Sequence, residues 1–169
     1  MLKLKKLIKE LNAGNSLVEL LIASMIISLV LVAVATTMMF SLKREALNRY
    51  RQTAVELASQ AIEHLSFERA GLGWEQFVDN YNNYTNYCFA EDSNGNVDEI
   101  EGVSCNYSAD GHVIEKMGVG FLRDVKIEED ANPLTGVVKL TVTVDVIWVP
   151  NSTGPITYQI VREFTKNDF

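Results

Sequence analysis

Hydrophobic and polar positions divide this chain into zones of different periodicity. From Leu20 through Leu42, twenty-three consecutive residues carry no charge. At about 1.5 Å per residue, such a run crosses the roughly 30 Å core of a bilayer as a single helix. No Pro or Gly interrupts it. Small residues (Ala23, Ser24, Ser28, Ala33, Ala35, Thr36, Thr37) are scattered through it, and residues of this kind allow close helix–helix approach in an apolar medium. Immediately before the run stand Gly14-Asn15-Ser16-Leu17-Val18-Glu19. Glu19 is the anomaly. An ionisable group at the edge of a spanning-length apolar run is expensive in lipid, so it marks a function and needs a partner.

After Leu42 the pattern becomes amphipathic. Leu47, Tyr50, Ala54, Leu57, Ala61 and Leu65 recur at steps of three and four, the helical period. Lys43, Arg44, Glu45, Arg49, Arg51, Glu56, Glu63 and Glu68 fill much of the rest. No breaker appears before Gly71 and Gly73, which read as a C-terminal stop. The pattern therefore predicts one helix from about Ser16 to about Ala70, roughly 80 Å long. Its second half needs another body to cover the apolar stripe.

Residues 71–111 are polar, aromatic and turn-rich, with one short helical turn expected around Trp74, Phe77 and Val78. Within them, Asp92, Asn94, Asn96 and Asp98 place oxygen-bearing side chains at alternate positions, as a calcium loop does. Gly95 is misplaced for that motif, and a plain Asn/Gly turn is the preferred reading. The last third reads as strands. Val138, Leu140, Val142, Val144, Val146 and Trp148 alternate with Lys139, Thr141, Thr143 and Asp145, a period of two with one face buried. Val119–Glu128 and Ile156–Thr165 are the other candidates, separated by the turn chemistry of residues 132–136 and 150–155. The expected fold is α+β: a long N-terminal helix packed on a C-terminal antiparallel sheet of three to four strands.

Charge narrows the partners. The net charge is −7; without residues 1–14 the chain keeps 11 basic and 21 acidic residues, a net −10. That balance argues against a nucleic-acid partner, which requires a basic face. The local patch Lys43, Arg44, Arg49 and Arg51 sits just past the apolar run, where lipid headgroups or water meet it. Lys3, Lys5, Lys6 and Lys9 favour a cytoplasmic N-terminus, against the weaker pull of Lys43 and Arg44.

Cys88 and Cys105 lack the companions a zinc site needs. Outside the cytoplasm a disulfide is the economical reading, and two buried thiols are the alternative. His64 and His112 have no Ser, Cys or second His at motif spacing, and no phosphate loop or nucleophile elbow is present. The chain is therefore expected to be a non-enzyme without cofactors. Asn83, Asn106 and Asn151 open Asn-x-Ser/Thr triplets, a pattern short enough to arise by chance.

Gly14-Asn15-Ser16-Leu17-Val18-Glu19-Leu20-Leu21-Ile22 resembles the class III signal of type IV pilins and pseudopilins. The region of Trp74 and the closing strands look most like minor pilins of the type IV pilus modification kind. The resemblance implies cleavage after Gly14 by a prepilin peptidase, with Asn15 as the new N-terminus and Glu19 at the family's characteristic fifth position. It also implies a disulfide-bearing head and assembly with other pilin subunits through the membrane-embedded pilus machinery. The corresponding division is a cleaved leader (1–14), a transmembrane and filament-core helix (15–42), an amphipathic half (43–70) and a globular head (71–169). The expected location is the cytoplasmic membrane, single-pass with the N-terminus inside, and then the cell-surface pilus. Asn15 stands where the family usually has Phe or another apolar residue, which bears on N-methylation of the new terminus. Thr36 stands where the family carries a helix-bending Pro.

Other readings remain open at this stage. A pseudopilin of a type II secretion system shares the same signal. A membrane-anchored adhesive or ligand-binding module shares the apolar run. A secretory signal peptide would use Ala33-Val34-Ala35 as its cleavage site, but it leaves Glu19 unexplained.

Overall fold

A computed structural model describes residues 2–81, 86–92, 94–109, 111–131, 138–150 and 154–166, with side chains described outside 2–16, 131 and 138. Helix α1 spans Leu2–Leu72 and α2 spans Trp74–Tyr81. The stop falls at Gly73, which adopts φ +82 and donates its N–H to the Arg69 carbonyl at 3.0 Å. A left-handed glycine just past the last turn satisfies a helix-end carbonyl that would otherwise lack a donor. Gly71, the other expected stop, stays within α1. The short turn expected around Trp74 is a helix of eight residues whose first turn accepts Phe77 N–H at the Gly73 carbonyl, 3.0 Å.

The chain forms two compact units, Met1–Asn48 and Arg49–Phe169. The first is helix alone. In the second, Ala54, Leu57, Ala58, Ala61, Ile62 and Leu65 line the buried face of α1. This is the stripe read from the sequence, widened by Ala58 and Ile62. Leu47 remains partly exposed.

Among the described residues six strands form one antiparallel sheet: β1 Asn86–Glu91, β2 Val97–Glu101, β3 Ile114–Lys116, β4 Val119–Ala131, β5 Val138–Trp148 and β6 Ile156–Thr165. Their lateral order is β2-β1-β4-β5-β6, with β3 also paired to β4. The three strands of the last third lie where the alternation placed them, and β1, β2 and β3 are additional. On β5, Leu140, Val142, Val144, Val146 and Trp148 point into the core, while Thr141, Thr143 and Asp145 on the other face are half-exposed. Phe121, Val125 and Ile127 of β4, Tyr87 and Phe89 of β1, Phe164 of β6 and Phe77 of α2 join the α1 stripe in one core. Burying each such side chain contributes about 1.5–3 kcal/mol, which is why the stripe needs the sheet.

Cys88 on β1 and Cys105 form a disulfide, with Cα atoms 4.8 Å apart. This settles the sequence alternative against free thiols. The bridge fastens the segment between β2 and β3 to the sheet, helped by Cys105 N–H donating to Asp124 Oδ1 (2.9 Å) and Tyr107 O–H donating to the Ile147 carbonyl (3.1 Å). Replacing both cysteines by serine is expected to lower the unfolding free energy by about 3 kcal/mol through the freed loop. Denaturant unfolding of the purified chain checks this. A loss below about 1 kcal/mol would show that the polar contacts hold the loop without the bridge.

Candidate functional site

The candidate site is the apolar face of the first unit. Every large hydrophobic side chain from Leu17 through Leu42 is exposed, from Val34 at 47% to Phe40 at 69%. The stretch is long and apolar enough to cross a membrane, and its most hydrophobic window has no buried residue. The hydroxyls of Ser24, Ser28, Thr36 and Thr37 are turned to their own helix backbone. Ser24 donates to the Leu21 carbonyl (2.9 Å), Ser28 to Ser24 (2.8 Å) and Thr36 to Ala33 (2.9 Å). In an apolar medium this removes the cost of unpaired hydroxyl groups. The helix passes through Thr36 without a break.

Glu19 is exposed on this helix. Among the described residues it has no hydrogen bond or ion pair. Gly14 and Asn15 lie within α1, and the Asn15 side chain is outside the described set. No protein-family model, curated protein or solved structure matches this chain. Functional reading therefore rests on the geometry and on the motif residues themselves. The exposed run has a definite chemical capacity: it can enter lipid, or it can pack against other apolar helices. The carboxylate near its start can receive a cation from another chain.

The second unit clarifies the remaining sequence candidates. Asp92, Asn94 and Asn96 form the tip of the β1–β2 hairpin. Asp92 Oδ1 accepts the N–H groups of Asn94 and Asn96, each at 2.8 Å, and Asp92 Oδ2 accepts Asn96 Nδ2 at 3.2 Å. Those hydrogen bonds hold the Asp92 carboxyl below the usual carboxylate range, the Asn96 backbone first. Gly95 supplies the positive φ (+84) that the turn requires. Asp98 is placed on β2 opposite Ala90. The oxygens of Asp92 are thus engaged by the turn, as the plain Asn/Gly reading expects. Asn106, in one of the three triplets, uses its side-chain oxygen to accept Ser108 N–H at 2.9 Å; Asn83 and Asn151 lie outside the described residues. Lys43, Arg44, Arg49 and Arg51 are exposed along α1.

Two constellations escaped the sequence reading. Arg123, only 1% exposed, points into the core face of β4. The β1–β4 ladder ends at Cys88–Asp124. The Arg123 guanidinium takes the next β1 carbonyls, Phe89 (Nε, 2.8 Å) and Ala90 (Nη2, 2.8 Å), and reaches the α1 carbonyl of Leu57 (Nη1, 3.2 Å). Burial pulls its pKa down to about 10, opposed by the nearby Glu91. The second constellation joins His64 and Glu68 of α1, Tyr81 of α2 and Glu99 of β2. His64 Nε2 lies 2.9 Å from Glu99 Oε1 and 4.0 Å from Glu68 Oε1. The Tyr81 hydroxyl contacts Glu99 Oε1 at 2.8 Å and also Glu68. Burial, with the hydrogen bond to Glu68, raises the Tyr81 hydroxyl far above the phenol range, so it remains a neutral donor. The helical spacing of His64 and Glu68 was visible in the sequence; their meeting with Glu99 depends on where β2 lies.

Proposed function

We propose that the chain is a structural subunit of a type IV pilus or related filament, most like a minor pilin. It is held in the cytoplasmic membrane by residues 15–42 and packed into a filament through the same residues after cleavage behind Gly14. The observation that carries this reading is the fully exposed apolar run with a single carboxylate near its start. Each large side chain moved out of water contributes about 1.5–3 kcal/mol, and the sum over the run exceeds the roughly 5–15 kcal/mol that stabilises an ordinary domain. Such a surface is covered at every stage of the protein's life, first by lipid and then by neighbouring helices. The acidic head stays in water and carries the disulfide of an oxidising compartment.

Intact-mass measurement of the mature protein, combined with shearing of filaments from cells, tests the proposal. A chain beginning at Asn15 and recovered in the sheared fraction supports it. A chain beginning at Met1 or Thr36, or one retained wholly in the membrane, would sink it.

A further inference from the structure

The cluster of His64, Glu68, Tyr81 and Glu99 lies in the second unit, outside the exposed apolar run. We propose that His64, Glu68 and Glu99 bind a divalent transition-metal cation of the Zn2+ class, fastening β2 to α1. One imidazole nitrogen and two carboxylate oxygens lie within 4.8 Å of one another. Four-coordinate zinc with bonds of about 2.0–2.2 Å sets its ligand atoms about 3.4 Å apart. The distances from His64 Nε2, 2.9 Å to Glu99 and 4.0 Å to Glu68, bracket that value. His64 and Glu68 are one turn apart on α1, the spacing that brings two side chains to one face of a helix. Glu99 comes from a different element, so the site closes only in the folded head.

Three further features suit a cation. The His64 ring stands edge-on to Phe89, with centroids 5.8 Å apart and an interplanar angle of 88°, which fixes its direction. The Tyr81 hydroxyl touches both carboxylates. It has a single proton, which serves one of them at a time, and the other group facing them is His64 Nε2. A divalent ion held by His64, Glu68 and Glu99 would take the place of these contacts between the carboxylates, and Tyr81 then acts as an outer partner that orients the ligands. The side chains of His64, Glu68 and Glu99 are 29%, 30% and 20% exposed, so the cation has a route in and water can complete its shell. A mixed nitrogen and oxygen set of three favours zinc over calcium or magnesium, which take oxygen ligands in larger number.

The test uses the full chain in detergent micelles, stripped of metal with a chelator and titrated calorimetrically with zinc chloride. Saturable binding of one ion per chain is expected, with His64→Asn and Glu99→Gln each weakening it at least tenfold, roughly the lower end of what loss of even an outer partner does. His112→Asn, which alters the chain's other histidine, should bind as the parent does. Near-UV circular dichroism of each metal-free variant verifies a folded head, and Glu68→Gln carries the test if His64→Asn fails it. Absence of saturable zinc binding, unchanged affinity in the His64 and Glu99 variants, or equal binding of calcium and magnesium would each overturn the proposal. A metal-free head would leave the filament reading untouched.

Discussion

Glu19→Ala is expected to leave cleavage after Gly14 intact and to remove the chain from filaments. The proposed cleavage would expose an ammonium group on Asn15, four residues before Glu19. Inside a bundle of apolar helices that charge has no water. In the proposed filament the carboxylate of a neighbouring subunit's Glu19 would offset it, since each charge alone would be costly. Removing one member of a desolvated pair costs about 3–5 kcal/mol, which at about 1.4 kcal/mol per factor of ten is roughly 100- to 4,000-fold in assembly. Under the proposed function the pair would set register and docking, while the packed apolar faces would supply most of the association energy. Quantifying the mature chain in membrane and sheared fractions checks both halves of this expectation. Normal incorporation of the variant would remove Glu19 from the assembly mechanism, and failure of cleavage would assign it to processing instead.

Arg123→Ala is expected to destabilise the head by about 3–5 kcal/mol, the scale of a large core side chain lost together with buried carbonyls left short of a donor. The change leaves the carbonyls of Phe89, Ala90 and Leu57 without the donors they now have. It also opens a void in a position that is almost fully buried. Hydrogen bonds from a charged donor contribute about 1.5–3 kcal/mol each, before the desolvation cost of the guanidinium is subtracted. Arg123→Lys should fall between the two, because an ammonium keeps the charge but cannot reach three carbonyls in different directions. Urea unfolding of the detergent-solubilised chain, followed by tryptophan fluorescence, provides the measurement. A loss below about 1 kcal/mol for the alanine variant would show that water or backbone movement replaces the guanidinium.

The two positions differ in how visible they were before folding. Glu19 stands out in one dimension because its neighbours are uncharged and their number matches a bilayer. Arg123 stands in a strand among other charges, Asp124 and Lys126, and nothing local says which of them turns inward. Only the pairing of β4 with β1, and its end at Cys88–Asp124, sets the guanidinium beside the Phe89 and Ala90 carbonyls. The same limit applies to β1 and β2. Tyr87 to Ala90 are buried in succession, so β1 lacks the alternation that made β5 legible. β2 is five residues long and mostly acidic.

The sequence by itself determined the apolar run, the amphipathic stripe, three of the six strands and the α+β architecture. Each depends on a periodicity that a short window of residues expresses. Tertiary structure decided the Cys88–Cys105 bridge, the burial of Arg123 and the meeting of His64, Glu68, Tyr81 and Glu99. Apart from His64 and Glu68, one helical turn from each other, these join residues 13 to 66 positions apart, and such distances are closed by strand register and helix packing, which no local pattern encodes.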